Sequence, residues 1–206
     1  MKERRGGAGD MVSAIILAAG RSSRMGAPKQ LLKLRGKTLI RIVAESALAS
    51  SVNEVVVVTG HQHQEVSTAV RDLPVKVIFN PRHQEGQGTS LALGVKAIDE
   101  NSSAFLVLMS DQPLITASWI NMVIREYKRS RCLALRPICN GSPGHPVIFS
   151  HLLVRDLAAL EGDQGARQVL KKLGDKVCYL PVQDEAVVFD VDTPEDFERL
   201  RNYKVF

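Results

Sequence analysis

Side chains that could bind an anion follow the first apolar run of the chain, which extends from Val12 to Leu17. This run has the composition of a parallel strand buried on both faces, and the Ala-Ala-Gly that ends at Gly20 permits a tight turn and close approach of a ligand. The donors that come next are Arg21, Ser22, Ser23, Arg24 and Lys29. Because open α/β sheets bind ligands at the carboxyl ends of their strands, the loop is predicted to hold a nucleoside triphosphate.

Carboxylates that could hold a divalent cation occur at two other places. Asp111 follows the apolar run of residues 104–109, and Asp190 and Asp192 fall on one face of an extended segment because side chains alternate along it. A triphosphate enzyme needs Mg²⁺ held by one or two carboxylates, so Asp111 with Asp190 or Asp192 is predicted to form the magnesium site. A turn cap at Asp111 and a purely structural role for Asp192 before a helix are the alternatives left open.

Two other polar segments carry weaker signals. Residues 86–90, Gly-Gln-Gly-Thr-Ser, lead into a predicted helix, and their glycines, hydroxyls and free N–H groups could meet a base or ribose as well as cap the helix. His145 lies in a Gly-His-Pro sequence, and residues 162–167 read Gly-Asp-Gln-Gly-Ala-Arg. Taken alone, a histidine near a strand is usually structural. The second segment, taken alone, could be only a helix cap.

The positive charge of the chain is local. The net charge is +5, and the segment from Arg21 to Arg41 contains seven basic residues and no acidic one. A compact polyanion such as a triphosphate explains this distribution better than a long nucleic acid does, since few aromatic residues accompany the charge. No apolar run approaches the roughly 18 residues of a membrane span, so neither nucleic acid nor a membrane is an expected partner.

The strands and helices that must position these residues alternate along most of the chain. Apolar runs predict strands at 12–17, 55–58, 75–79, 104–109, 132–139, 146–149 and 177–180, and helices between them. The pattern predicts an α/β fold with three α/β/α layers around a mostly parallel mixed sheet. The short strands after Cys132 indicate an antiparallel insertion. Thr193 and Asp196, with Pro194 at the first helical position, predict a capping box for the last helix.

The remaining composition bounds the compartment and the domain organisation. Cys132, Cys139 and Cys178 are widely spaced, odd in number and without a Cys-x-x-Cys pair, which favours reduced thiols in a cytoplasmic protein and no structural zinc. Residues 1–11 lack the apolar core of a secretory signal and are predicted to form a flexible leader. Residues 12–206 are then expected to form a single domain.

Two familiar nucleotide-binding loops do not fit the first segment. A Walker A motif requires Gly-x-x-x-x-Gly-Lys-Ser/Thr, but here Gly20 and Gly26 are separated by five residues and Pro28 precedes Lys29. Proline has no N–H and cannot join a continuous nest of backbone donors. The Gly-x-Gly-x-x-Gly fingerprint of dinucleotide enzymes is also absent after the strand.

The run from Leu17 to Lys29 matches throughout the Leu-x-x-Gly-x-x-x-Arg-Met-Gly-x-x-Lys signature of nucleotidyltransferases with a glycosyltransferase-A-like fold. With the segments beginning at Gly144, Gly162 and Asp190, it resembles the MobA-like branch, in particular the molybdenum cofactor cytidylyltransferases. The Leu-Ala-Ala-Gly form of the loop is similar to the cytidylyl members, whereas guanylyl relatives more often have Leu-Ala-Gly-Gly. The resemblance spans residues 12–200.

The resemblance implies roles for individual residues. Arg24 and Lys29 would neutralise phosphates as catalytic residues, and Asp111 would hold Mg²⁺. His145, Asp163 and Arg167 would lie toward a pterin acceptor. The nucleotide would be bound by Leu17, Ala18, Ala19, Gly20, Arg21, Ser22, Ser23, Arg24 and Lys29 in the first loop, and by Asn80, Gly88, Thr89 and Ser90 in a second one.

The implied reaction is transfer of CMP from CTP to the phosphate of molybdopterin, with release of pyrophosphate. A phosphomonoester has a second pKa near about 6, so it is already a nucleophile at neutral pH and needs no strong base. The alternatives are a guanylyltransferase or sugar-phosphate nucleotidyltransferase of the same superfamily, and a non-catalytic protein that binds or inserts the cofactor. A molybdenum hydroxylase or its maturation factor is a possible protein partner.

Overall fold

The computed structural model of the chain describes residues 11–21, 25, 28–163 and 165–203. Its strands, in chain order, are β1 Val12–Ala18, β2 Lys33–Leu34, β3 Lys37–Thr38, β4 Glu54–Thr59, β5 Lys76–Phe79, β6 Ala104–Met109, β7 Ala134–Cys139, β8 Ser142–Pro143, β9 Val147–Ser150 and β10 Val177–Val182. Its α-helices are α1 Leu39–Leu48, α2 His63–Val70, α3 Gln87–Ala97, α4 Ala117–Arg129, α5 Val154–Ala158, α6 Arg167–Leu173 and α7 Pro194–Arg201. Most predicted elements therefore begin and end within two residues of their observed limits.

The main sheet has eight strands in the order β10-β7-β9-β6-β1-β4-β5, with β8 paired to β7. β1 lies between β4 and β6 and is parallel to both, so that Leu17 is opposite Val58 on one side and Met109 on the other. β9 runs antiparallel to β6 and β7, whereas β10 is parallel to β7. The mostly parallel mixed sheet and its antiparallel insertion are confirmed.

Helices cover both faces of this sheet, which explains the unbroken apolar composition of β1. Every residue of β1 is buried. Ala14 and Ile16 pack on one face in a cluster that includes side chains of α1, α2 and α4. Ile15 and Leu17 pack on the other face against side chains of α3, α5 and α6. A strand that is buried on both sides needs apolar residues at every position, not at every second one.

The last helix begins as the sequence predicts. The Thr193 hydroxyl accepts from the N–H of Asp196, the Asp196 carboxylate accepts from the N–H of Thr193, and Pro194 occupies the first turn. Thr38 is also at a helix N-cap, before α1, but its hydroxyl makes no capping bond there. α6, one of the helices expected between the strands, begins at Arg167 with no side-chain capping bond.

The prediction of reduced thiols is wrong for two of the three cysteines. Cys132 and Cys178 form a disulfide, with their Cα atoms 5.8 Å apart, while Cys139 is free and buried. The two cysteines are 46 residues apart in sequence, and the pairing of β10 with β7 brings them together. Their spacing in the sequence alone does not reveal this proximity.

The leader predicted for residues 1–11 lies outside the described residues, except for Met11. Within the ranges that the structure describes, no helix combines the length and the apolar character that crossing a membrane requires.

Candidate functional site

A cleft of about 750 Å³ opens where β1 and β6 end. It is lined by the end of β1 and the loop after it, by the segment that precedes α3, and by the residues that follow β6. The lining residues are Leu17, Ala19, Gly20, Arg21, Lys29, Gln30, His83, Gln84, Glu85, Gly86, Gln87, Ser90, Met109, Ser110, Asp111 and Asp163. Because this edge carries the carboxyl ends of parallel strands, it is where such sheets bind ligands.

A hydrogen bond connects the end of the loop after β1 to its start. The buried Gln30 side chain donates from Nε2 to the carbonyl oxygen of Gly20 at 3.3 Å, which returns the chain to the strand end. A Cβ at Gly20 would meet no atom of the described residues within 4 Å, so as far as these residues are concerned the backbone there is open to a ligand. Ala18, by contrast, is packed in the core and does not line the cleft. Ser22, Ser23 and Arg24 lie outside the described residues.

The basic segment is less concentrated at the cleft than its charge suggests. Arg21 and Lys29 line the cleft, whereas Arg41 makes two hydrogen bonds of 2.8 Å to Asp72 and a third to Glu45. Lys37 also donates to Glu45, at 2.6 Å. Part of the charge of the segment is therefore neutralised by acidic residues elsewhere in the chain, and only the rest is available to a polyanion at the cleft.

Lys29 joins the two acidic segments of the predicted metal site. Its Nζ donates to Asp192 Oδ1 at 2.8 Å and forms an ion pair with the carboxylate of Asp111. Both partners in the second pair are largely buried, with 18% of the Lys29 side chain and 8% of the Asp111 side chain exposed. Burial lowers the pKa of Lys29, but the Asp111 and Asp192 carboxylates outweigh it, so the pKa is raised and the ammonium stays charged.

Asp190 lies beside this ion-pair cluster. The N–H of Val191 donates to the carbonyl oxygen of Asp111 at 3.0 Å, which brings the segment of Asp190 and Asp192 next to the end of β6. Gln112 Nε2 donates to Asp190 Oδ1 at 2.5 Å. Desolvation by the surrounding protein, followed by the negative charge of Asp111, raises the pKa of Asp190 to about 6, although the Gln112 hydrogen bond acts in the opposite direction.

The donor set at the cleft suits a hard cation. Oδ1 of Asp111 is buried and has no hydrogen-bond partner among the described residues, which leaves a carboxylate oxygen available. The Asp111 and Asp192 carboxylates already hold one cation, the Lys29 ammonium. Oxygen ligands of this kind are those that Mg²⁺ prefers. No group of three or more His, Cys, Asp or Glu side chains in the described ranges is already arranged as a metal site.

The second predicted nucleotide segment divides between the cleft and the interior. Ser90 lines the cleft. Asn80 is buried instead, and its Nδ2 donates to the hydroxyls of Thr89 and Ser90 at 2.9 Å each. Gly88 donates its N–H to the Gly162 carbonyl at 2.8 Å, and a Cβ there would lie 2.8 Å from that oxygen. The structure therefore places Asn80, Gly88 and Thr89 away from the cleft lining, where they fasten the segment to its neighbours.

The predicted acceptor residues fall in two adjoining cavities. Asp163 lines the main cleft, and its Oδ1 accepts from the N–H of Gln87 at 3.4 Å. His145 and Arg167 line a smaller pocket of about 140 Å³. The two cavities share Leu17, Gln87 and Met109 in their walls. Burial, together with the Arg136 cation, lowers the pKa of His145 to about 4, so the imidazole is neutral at physiological pH.

The sequence interpretation missed several lining residues, of which His83 is the best defined. Its Nδ1 is buried without a hydrogen-bond partner, and burial followed by the Arg21 cation lowers its pKa. The ring lies against Gly60, where a Cβ would be 2.5 Å from His83 Cβ. No spacing rule connects a histidine after Asn-Pro with a nucleotide cleft, so the sequence contained no signal for it.

A mostly parallel sheet, with a ligand loop after an interior strand and an acidic residue after its neighbour, defines a nucleotidyltransferase with a glycosyltransferase-A-like fold. A solved nucleotidyl transferase from Methanothermobacter is similar at 25% identity and a TM-score of 0.81, over 94% of this chain and 97% of that one. The chain belongs to the family described as the MobA-like NTP transferase domain, whose model matches residues 14–177.

Two curated relatives illustrate the range of the family. A nicotine blue oxidoreductase of Paenarthrobacter nicotinovorans is 31% identical, over 92% of this chain and 96% of that protein. The molybdenum cofactor cytidylyltransferase of Escherichia coli is 28% identical, over 90% of this chain and 93% of that protein. Both alignments cover nearly the full length of this chain and of the relative.

Proposed function

We propose that this nucleotidyltransferase transfers CMP from CTP to the phosphate of molybdopterin, releasing pyrophosphate. The observation that carries the proposal is the meeting of Lys29, Asp111 and Asp192 at the cleft that the β1 loop lines. A cation and two carboxylates at a strand end can bind a metal–triphosphate, which needs both positive charge and metal ligands. The near full-length similarity to a molybdenum cofactor cytidylyltransferase supports the acceptor, and the Leu-Ala-Ala-Gly loop supports CTP.

The chain's own residues would act by positioning and charge. The open backbone at Gly20 lets the triphosphate approach the loop, and Arg21, Arg24 and Lys29 would balance its negative charge. The acceptor phosphate is largely dianionic at neutral pH and attacks the α-phosphorus without a strong base. In-line placement of these groups, together with fixed positive charge, supplies most of the catalysis in phosphoryl chemistry.

Asp111, with Asp192 or Asp190, would hold Mg²⁺, which neutralises charge on the phosphates when bound. The unpartnered Oδ1 of Asp111 supports its place in this set. Lys29 contacts both Asp111 and Asp192 and so places a positive charge between these carboxylates. The nucleotide form of the cofactor would then pass to a molybdenum hydroxylase or its maturation factor.

The deciding experiment combines the purified protein with molybdopterin, Mg²⁺ and each of the four nucleoside triphosphates in turn. Product mass is determined and pyrophosphate release is followed. We expect the CMP adduct of molybdopterin with CTP, and little product with the other three. A GMP adduct would instead identify a guanylyltransferase. Turnover with sugar phosphates but not with molybdopterin would identify a sugar-phosphate nucleotidyltransferase. Binding of nucleotide without turnover would favour a carrier of the cofactor.

The similarity to a protein named as an oxidoreductase requires a second assay. The same preparation is incubated with reduced nicotinamide cofactors and a quinone-type dye, and oxidation is followed by absorbance. The stretch after β1 lacks the glycine spacing of a dinucleotide-binding loop, so we expect no cofactor-dependent reduction. Steady reduction without pyrophosphate release would favour redox chemistry over nucleotidyl transfer.

A further inference from the structure

The small pocket beside the main cleft contains two arginines in largely apolar surroundings. Arg136, from β7, and Arg167, from the start of α6, line it together with His145. The other wall residues are mostly apolar: Leu17, Leu91, Val107, Met109, Val147, Phe149, Gly165, Ala166 and Leu170, with Gln87. We call this cavity the arginine pocket. Its volume of about 140 Å³ equals that of roughly five water molecules, enough for a sulfate- or phosphate-sized group with room to spare.

Among the residues that the structure describes, no carboxylate neutralises either arginine of the pocket. Arg136 directs Nε and Nη2 to one acceptor, the carbonyl oxygen of Gly144, at 3.2 and 3.0 Å. A guanidinium has five N–H donors, so most of its hydrogen-bonding capacity is left over. Among the described residues, neither Arg136 nor Arg167 forms an ion pair.

The electrostatics of the arginine pocket favour an anion. Burial, and also the charge of Arg167, lower the pKa of Arg136, whereas Tyr179 acts in the opposite direction. His145 is neutral at physiological pH and contributes no charge to offset the two guanidinium groups. Arg136 is half-buried and Arg167 is exposed, so one guanidinium forms the inner wall of the pocket and the other its rim. An anion held between them offsets the repulsion of the two like charges.

We infer that the arginine pocket binds an anionic group of the acceptor other than the phosphate that reacts, and that Arg136 determines acceptor specificity through it. The shared wall residues Leu17, Gln87 and Met109 make the pocket continuous with the main cleft, so one molecule can reach both. The statement that the bound anion belongs to the acceptor rests on the proposed function. Binding of a small anion to the pocket does not, and it is tested separately.

The first test uses sulfate as the probe and the protein alone, so that it does not depend on nucleotide binding. The Nε–H signals of Arg136 and Arg167 are followed by NMR during a sulfate titration, with chloride at equal ionic strength as the reference. We expect a saturable shift of both signals. Arg136→Gln should abolish the shift at Arg167, whereas Arg155→Gln, at an exposed position on α5, should leave it unchanged. A non-saturable response, or a saturable one also seen in Arg136→Gln, would overturn the inference.

The second test separates binding of the acceptor from a structural role of Arg136. With molybdopterin as acceptor, Arg136→Gln should raise the KM for molybdopterin by about tenfold or more, because a charge-assisted bond is lost, while kcat and the KM for CTP change little. Sulfate should compete with molybdopterin in the wild type and not in this variant. A lower kcat and a lower unfolding midpoint with the KM unchanged would show that Arg136 only supports the Gly144 turn.

The two tests fail independently. A positive sulfate titration without any transfer to molybdopterin would leave the anion pocket intact and contradict the proposed acceptor. Transfer to molybdopterin with an unchanged KM in both Arg136→Gln and Arg136→Lys would keep the proposed function and contradict the assignment of Arg136.

Discussion

Lys29 Nζ donates to Asp192 Oδ1 at 2.8 Å, across 163 residues of sequence. The bond ties the loop that follows the first strand to the segment that precedes the last helix. At the start of that helix the N–H groups of Asp192 and Thr193 both donate to the Asp196 carboxylate. The ammonium also contacts Asp111, so this one side chain connects the loop after β1 with both parts of the candidate metal site.

The first prediction concerns the stability of this ion-pair cluster. Lys29→Met leaves the Asp111 carboxylate, 8% exposed, near Asp190 and Asp192 without its cation. Removing one partner of a buried pair leaves an uncompensated charge, so we expect a loss of about 3 kcal/mol in the free energy of unfolding. Urea denaturation at neutral pH measures it. Lys29→Met combined with Asp111→Asn should lose less than the sum of the single variants, and simple additivity would show that the two residues are not coupled.

The second prediction concerns catalysis. Asp111→Asn keeps the shape of the side chain and removes the charge that would hold Mg²⁺, so we expect pyrophosphate release to fall by about a hundredfold or more. Circular dichroism should be unchanged. Asp175→Asn, at an exposed turn, is the matched control and should keep wild-type turnover. Near wild-type turnover in Asp111→Asn would remove Asp111 from the proposed metal site.

The sequence predicted those parts of the molecule that depend on local rules. β1 is recognisable because burial on both faces demands an unbroken apolar run. The start of α7 is recognisable because Thr193 and Asp196 cap each other's N–H groups and Pro194 stands at the beginning of the helix. The location of Asp111 followed from the rule that ligands bind at the carboxyl ends of parallel strands, and it lies in the cleft lining.

What the sequence did not reveal depends on contacts between distant segments. Asn80 carries polar atoms that would suit a nucleotide, but they are used to hold Thr89 and Ser90 inside the fold. The charge of Arg41 is matched by Asp72, and only the packing of α1 beside α2 brings those two residues together. Arg136 has no motif at all, and its place in a pocket follows from the pairing of β7 with its neighbours.

The third prediction distinguishes the observed disulfide from the reduced thiols that the sequence favoured. Protein prepared without reductant is denatured and treated with iodoacetamide, and the mass of the intact chain is measured. We expect one label per chain, on Cys139, because Cys132 and Cys178 are paired. After reduction the number should rise to three, matching the cysteine content. Three labels without reduction would show that all of the thiols are free.

The fourth prediction concerns the dependence of stability on pH. The pKa of His145 falls from 6.5 to about 4 on folding, so below 6.5 the unfolded chain binds a proton that the folded protein does not. Stability is therefore unaffected by this group above pH 6.5 and decreases as the pH falls toward 4, by about 2 kcal/mol at pH 5. Between pH 7.5 and pH 5, the free energy of unfolding of His145→Gln should fall by about 2 kcal/mol less than that of the wild type, as measured by urea titrations. Parallel curves for the two proteins would mean that His145 titrates alike in both states.

The fifth prediction compares two glycines at the cleft. Within the described part of the chain a Cβ at Gly20 would meet no atom within 4 Å, whereas one at Gly60 would lie 2.5 Å from His83 Cβ. Gly60→Ala should therefore lose about 1–3 kcal/mol in the free energy of unfolding through overpacking. Gly20→Ala should change stability by less than about 0.5 kcal/mol, since it fills open space.

Gly20→Ala should lower the affinity for the nucleotide although it hardly changes stability. If the triphosphate approaches the backbone at Gly20, the added methyl group occupies part of the space that a phosphate needs, and CTP affinity should fall by about tenfold or more. Calorimetric titration with CTP and Mg²⁺ measures it, and Ala19→Gly, which removes a methyl group from the same lining, provides the opposite change in volume. Unchanged CTP affinity in Gly20→Ala would mean that the triphosphate does not lie against this turn, and the loop would then have to bind it through side chains alone.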